Sequence, residues 1–212
     1  MNTLDYIFQK FNLNKDEKSP IYIEGTRDLL PGLFNELGFK VGAEIGVLEG
    51  VFSEILSREM PQAHIYSIDP WTFYPMRKNA RKQKDYDRIY PRAVERLSVY
   101  PNNEIIKGDS IVTAATFADE CLDFVFIDGN HEFQAITNDI CEWVKKVKKG
   151  GILSGHDYGN SHDRQFGNVK DVVNAYTMSK RITPLFVIET APYMNNRDSE
   201  AYRETSFFWV KQ

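Results

Sequence analysis

Cysteine is scarce in this chain. Only Cys121 and Cys141 occur among 212 residues. Two cysteines cannot build a disulfide framework, and no CxxC pair suggests a redox or zinc site. Both fall in apolar-periodic segments and read as small core residues. Long apolar runs are missing too. The opening "MNTLDYIFQKFNLNKDEKSP" carries charge throughout, so neither a signal peptide nor a membrane span is expected, and a cytoplasmic location is the default. Excess positive charge is also lacking. A formal net charge of -4 argues against a globally cationic nucleic-acid binder. The chain finally lacks GxGxxG, the glycine cluster that seats a pyrophosphate on a helix N-terminus.

What is present suits a single domain with a sizeable core. Hydrophobic residues make up 42% and charged residues 26% of the chain, ordinary values for a globular protein. Leu4, Ile7, Phe8 and Phe11 stand at helical spacing. A polar linker, "NLNKDEKSP", follows. Residues 27 to 37 repeat the spacing, with Pro31 in the first turn and Gly38 at the C-terminal cap. These two helices are expected to form an N-terminal helical cap over residues 1–39. Strand and helix then alternate. "KVGAEIGV", "AHIYSID", "NEIIKGD", "CLDFVFIDG" and "ILSGHDY" read as strands. Helices are expected from about Val51, over residues 78 to 99 with a kink or division at Pro91, from Phe133 to the stop at Gly150 and Gly151, and around Val169 to Tyr176. Lys145, Lys146, Lys148 and Lys149 suit the negative end of the third of these helices. "ITPLFVIET" and "TSFFWVK" close the chain as a strand pair.

Such alternation predicts a parallel α/β sheet with right-handed crossovers and an antiparallel finish. Ligands in these sheets bind beyond the carboxyl ends of the strands. The residues there are Glu44 to Gly50, Asp69 to Trp71, Asp109 and Ser110, Asp128 to His131, and His156 to Tyr158. Acids and histidines recur in them. Glu44, Gly46 and Gly50 share one strand-to-helix turn, where a carboxylate would repel pyrophosphate but suit an ammonium. Asp69 ends the next strand, where a carboxylate can take two ribose hydroxyls. A ribose, a cationic amino-acid end and no phosphate describe S-adenosylmethionine.

The order Glu44-x-Gly46-x3-Gly50, "YSIDPW", "IKGDS", "FIDGNH" and "KKGGILSGHDY" resembles the class I S-adenosylmethionine-dependent methyltransferases. It is most similar to the small bacterial branch with DGxH and GGxxxxHD motifs, the macrocin O-methyltransferase-like proteins. The likeness covers residues 40–212. It implies a Rossmann-like, doubly wound, mostly parallel seven-stranded sheet with an antiparallel final pair. It also implies roles. Glu44 and the backbone at Gly46 would face the methionine end, with Gly50 completing the turn. Asp69 would bind the ribose, Trp71 would wall the adenine, and Asp109 with the Ser110 backbone would meet the adenine amino group. Two of these residues have plainer readings: Trp71 as core packing and Asp109 as a helix cap. The loop departs from the family's usual E/DxGxGxG, because Ala43, Ile45, Val47 and Leu48 occupy its flexible positions.

Asp128, His131, His156 and Asp157 fall at two neighbouring strand ends. Asp128, His156 and Asp157 could hold one divalent cation, magnesium or manganese, by position with the metal-dependent members of the fold such as catechol O-methyltransferase. Alternatively His131 serves as general base, and Asp128 hydrogen-bonds the methionine ammonium or a substrate hydroxyl. The helix-capping and packing readings of His131 and His156 stay open. Acceptor recognition is expected from the loop "YGNSHDRQFGN" with His162 and Arg164, from the basic run Arg77, Lys78, Arg81, Lys82 and Lys84, and from Tyr74, Tyr193 and Tyr202. The basic run reads equally as a solvated helix face. Methyl transfer to an oxygen of a small molecule, a sugar or glycoside hydroxyl foremost, is the expected function, with no membrane or nucleic-acid partner and homo-oligomer formation left open. A nicotinamide-linked oxidoreductase and a non-catalytic cofactor-binding module are the alternatives.

Overall fold

The computed structural model describes residues 1–73, 81–159, 168–190 and 205–212. One sheet organises them, in the order β1-β7-β8-β6-β5-β2-β3-β4. Its strands are β1 (Ile21–Glu24), β2 (Val41–Ile45), β3 (His64–Asp69), β4 (Asn103–Lys107), β5 (Leu122–Ile127), β6 (Val147–Gly155), β7 (Phe186–Glu189) and β8 (Ser206–Val210). All neighbours pair in parallel except β8, which runs antiparallel between β6 and β7.

Among the described residues, seven helices accompany the strands: α1 (Thr3–Lys10), α2 (Leu29–Glu36), α3 (Val51–Glu59), α4 (Gln83–Leu97), α5 (Ser110–Ala114), α6 (Phe133–Lys146) and α7 (Val169–Lys180). Strand β5 shows why its sequence is continuously apolar. Phe124 and Phe126 face a core built with α1, α2 and α3, whereas Val125 and Ile127 face one built with α5, α6 and α7. A strand covered on both faces loses the polar half of its alternation. The ring of Phe34 on α2 stacks on Phe124 with centroids 4.3 Å apart, and Phe52 on α3 lies 4.3 Å from Phe126. Helix α4 closes a third, smaller cluster containing Val47, Trp71, Ile89, Ala93 and Leu97. No helix among the described residues is long and apolar enough to cross a membrane.

Three expectations change. The sheet has an eighth strand, β1, inside the segment expected to be a helical cap. It pairs with β7 from Ile21↔Phe186 to Glu24↔Glu189, and Ile7, Phe8, Ile21, Ile23, Leu30, Leu33 and Phe34 share a core with β5, β6, β7 and β8. Residues 1–39 are therefore part of the main sheet and core. Helix α6 stops at Lys146, and β6 begins at Val147, so Lys148 and Lys149 belong to a strand. Val147 is fully buried in register with Leu122, and sheet pairing overrides the end expected at the glycines. Pro91 does not divide α4, which starts at Gln83; residues 78–80 of the expected helix lie outside the described residues.

Candidate active site

The parallel strands bring their carboxyl ends to one edge of the sheet. At the end of β2 the chain turns through Gly46 and Gly50, both left-handed at φ +91° and +78°. A Cβ on Gly46 would meet the Asp128 carbonyl and, at 2.6 Å, the Gly129 Cα. Gly46 is thus needed where two strand-end turns touch each other. Gly50 is the N-cap of α3 and supplies no side-chain bond to it.

Asp69 holds this turn in place. Its Oδ2 accepts the backbone N–H of Val47 at 2.9 Å and of Leu48 at 3.0 Å, and its Oδ1 accepts that of Trp71 at 2.7 Å. A carboxylate offers about four acceptor directions, so three are taken. Taking both ribose hydroxyls would require at least one of these amides to yield. Trp71 is 1% exposed. It donates its indole N–H to the Leu48 carbonyl at 2.8 Å and tilts against Tyr90, with centroids 4.8 Å apart. That is the core-packing arrangement, with the ring supporting the turn from behind. Leu48 and Trp71 both have positive φ, at 51° and 44°, a costly conformation for such side chains.

Glu44 is 2% exposed and receives a very short hydrogen bond from Ser53. Ser67 donates to Ser53 at 2.7 Å, and Asn103 donates to Ser67 at 3.0 Å and to Ser57 at 2.9 Å. This buried polar chain links β2, β3, β4 and α3. Burial pushes the Glu44 carboxyl up to about 8; the Ser53 bond opposes that, Asp128 adds to it, Arg27 opposes it, and Asp69 adds a little. Glu44 is therefore largely protonated at neutral pH.

Asp109 caps α5, its Oδ1 accepting from Ile111 and Val112 at 2.9 and 3.1 Å. Ser110 donates to Asp139 at 2.5 Å and accepts from the Trp143 indole at 2.8 Å. Asp139 was not singled out in the sequence. It sits on α6, and burial raises its carboxyl to about 6 against the lowering bond from Ser110. Its position on the buried stripe of an amphipathic helix was the available signal.

The ends of β5 and β6 carry the densest cluster. His131 Nδ1 lies 3.2 Å from Asp157 Oδ2, and its Nε2 lies 3.4 Å from Asp128 Oδ1. Donor atoms of Asp128, His131 and Asp157 all fall within 4.8 Å of one another. His131 thus takes the place expected for His156 in the convergent trio. His156 instead stands beside Asp157, with Nδ1 3.4 Å from Asp157 Oδ1, and its backbone N–H bonds to Ile127. Burial would raise the Asp157 carboxyl, but the His156 bond and the charges of His131, His156 and Arg27 hold it below the usual range. Its own backbone is left-handed at φ 58°, which Asp tolerates better than most residues.

Arg27 is the second residue missed. It follows β1, whose carboxyl end lies on the same edge as the others, and its guanidinium Nη1 donates to Asp128 Oδ2 at 2.9 Å. The cue was present in "IYIEG", whose alternation puts Ile21 and Ile23 inside and Tyr22 and Glu24 outside. Of the basic run, Arg81, Lys82 and Lys84 are exposed, as a solvated face would be. Tyr74, Arg77, Lys78, His162, Arg164, Tyr193 and Tyr202 lie outside the described residues.

Comparison with known proteins places the fold and the family. The chain is 27% identical over 115 residues to the uncharacterized protein R132 of Acanthamoeba polyphaga mimivirus, which covers 54% of this chain and 50% of that protein. The match thus spans half the length of this curated relative. Three solved structures share the fold. The O-methyltransferase of Bacillus cereus in complex with SAH superposes with a TM-score of 0.59 at 19% identity, covering 99% of this chain and 90% of its own. The O-methyltransferase TomG of Streptomyces achromogenes, involved in tomaymycin synthesis and bound to SAM, gives 0.61 at 17%, covering 99% and 90%. SAH-bound methyltransferase PaMTH1 of Podospora anserina gives 0.57 at 13%, covering 87% and 77%. Residues 43–158, more than half of the chain and the stretch from β2 to the end of the β6 turn, match the family described as "Methyltransferase domain", and the chain belongs to that family.

Proposed function

We propose that the protein transfers the methyl group of S-adenosylmethionine to an oxygen of a small molecule, with a sugar or glycoside hydroxyl as the acceptor class. Family membership and the acid-lined edge at the ends of β2, β3, β5 and β6 support this reading over a nicotinamide-linked oxidoreductase. The observation that carries the chemistry is the bracketing of His131 by Asp128 and Asp157. An acceptor hydroxyl must lose its proton as its oxygen bonds to the methyl carbon and the carbon–sulfur bond breaks. The donor supplies an electrophilic methyl on a sulfonium.

The chain's own residues supply the rest. Asp157 fixes the His131 ring through Nδ1 and Asp128 faces its buried Nε2, so the imidazole would serve as a relay that takes the acceptor's proton by way of Asp128. Glu44, largely neutral where burial holds it, can release its proton when a cationic amino-acid end arrives. Asp69, Gly46 and Gly50 set the turn on which a nucleoside would rest, with Trp71 supporting it and with Asp109 and Ser110 at the adenine end. The donor set of Asp128, Asp157 and His131, two oxygens and one nitrogen, also fits a divalent cation of the magnesium or manganese type. Such a cation would lower the pKa of an acceptor hydroxyl bound to it.

Titration calorimetry with S-adenosylhomocysteine, followed by turnover of labelled donor against a panel of hydroxylated acceptors with and without chelator, tests the proposal. Binding with turnover is expected. Binding without turnover on any acceptor would favour the non-catalytic module, and activity indifferent to chelator would remove the cation. Cytoplasmic location and a small-molecule acceptor, with neither membrane nor nucleic acid as partner, complete the reading.

A further inference from the structure

We infer that Arg27 is the anchor for the carboxylate of the donor's amino-acid end, and that Asp128 is the group that holds Arg27 ready. The inference rests on the donor proposed above and concerns one end of it. An amino-acid end brings a carboxylate as well as an ammonium to an edge lined by Glu44, Asp69, Asp128 and Asp157. Acids crowd this edge, so the incoming carboxylate needs a cation. Among the described residues, Arg27 is the only lysine or arginine in an ion pair with Asp69, Asp109, Asp128 or Asp157.

Its placement fits that use. Arg27 reaches the site from the end of β1, 101 positions away from Asp128 in the chain. The guanidinium carbon lies 5.1 Å from the centre of the Phe52 ring, in the first turn of α3, so one side of the fork is braced by an aromatic face. The charge of Arg27 is felt by both Glu44 and Asp157, which sets it amid the acids at the ends of β2 and β6. Its side chain keeps 29% of its exposure while that of Asp128 keeps 20%, so a ligand can reach the pair. One N–H is committed to Asp128 Oδ2. An arginine has five, in a planar fork that matches a carboxylate, so donors remain. The bond to Oδ2 leaves Asp128 Oδ1 facing His131, so the anchor and the Asp128–His131–Asp157 cluster use different oxygens.

The test compares two nucleosides by calorimetry: S-adenosylmethionine, and its decarboxylated form, which keeps the ammonium and sulfonium but lacks the carboxylate. Arg27→Gln keeps a donor toward Asp128 and removes the charge. It should weaken S-adenosylmethionine binding at least tenfold and leave the decarboxylated ligand within about twofold. Arg27→Lys should recover part of the loss. Thermal melts of both variants verify that the chain is folded. An equal loss for the two ligands, or no loss for either, overturns the anchor while leaving the donor assignment standing. A wild-type protein that binds neither nucleoside overturns the donor assignment, and the anchor with it.

Discussion

Glu44 shows how little a residue's type says about its charge. At the sequence level it is a carboxylate suited to an ammonium. In the fold it is a buried acid held near neutrality, with a folded value of about 8 against an ordinary 4.5. Below pH 4.5 the group is protonated folded or unfolded, and its neutral form costs nothing. Between 4.5 and about 8 the unfolded chain releases a proton that the folded chain keeps. Stability then falls as pH rises, by up to about 1.4 kcal/mol per pH unit. Glu44→Gln removes that loss. The variant should match the wild type near pH 4.5 in urea unfolding and exceed it increasingly toward pH 8. A stability difference independent of pH would show that Glu44 is ionised in the fold. Asp69 carries the complementary lesson. Its position at a strand end was readable, but its three backbone amide partners were not, because they lie in a turn whose path only the fold defines.

Among the elements, the turn between β2 and α3 is the most constrained. Gly46 was expected to let the backbone approach a ligand, yet the atoms it makes room for are those of the Asp128–Gly129 turn. Gly46→Ala combines a strained left-handed alanine with a backbone clash, and should cost roughly 2–5 kcal/mol in urea unfolding while abolishing donor binding. A loss under about 0.5 kcal/mol would mean the two turns are not in contact. Strands β2 to β8 were legible because their apolar runs are bounded by turn residues, and β5 most of all. The end of α6 was not, because lysines and a following glycine pair mimic a helix terminus while Val147 is drawn into the sheet by Leu122. The His131-for-His156 exchange has the same origin. Both histidines follow strands, and only the turn conformations decide which ring swings between Asp128 and Asp157.

Over the whole molecule, residues 1–39 matter more than a cap would. Strand β1 covers the outer edge of β7, and Phe8 meets Phe186 edge to face with centroids 5.8 Å apart. Deleting residues 1–28 removes β1, α1 and Arg27. It also bares the apolar face formed by Phe186, Ile188, Phe208 and Ile152 together with a free strand edge. The truncated chain should aggregate or melt without cooperativity, judged by size-exclusion chromatography and circular dichroism. A soluble truncation melting within a few degrees of the full chain would restore the separate cap. By itself, the sequence determined the alternation of strands and helices, and hence a parallel sheet whose carboxyl ends carry acids and histidines. These follow from local periodicity and chain order. Only the tertiary structure decided which donors converge, which acid is neutral, and that an arginine just after the first strand meets an aspartate just after the fifth. Those depend on turn conformation, burial and pairing between segments a hundred residues apart, which local pattern does not encode.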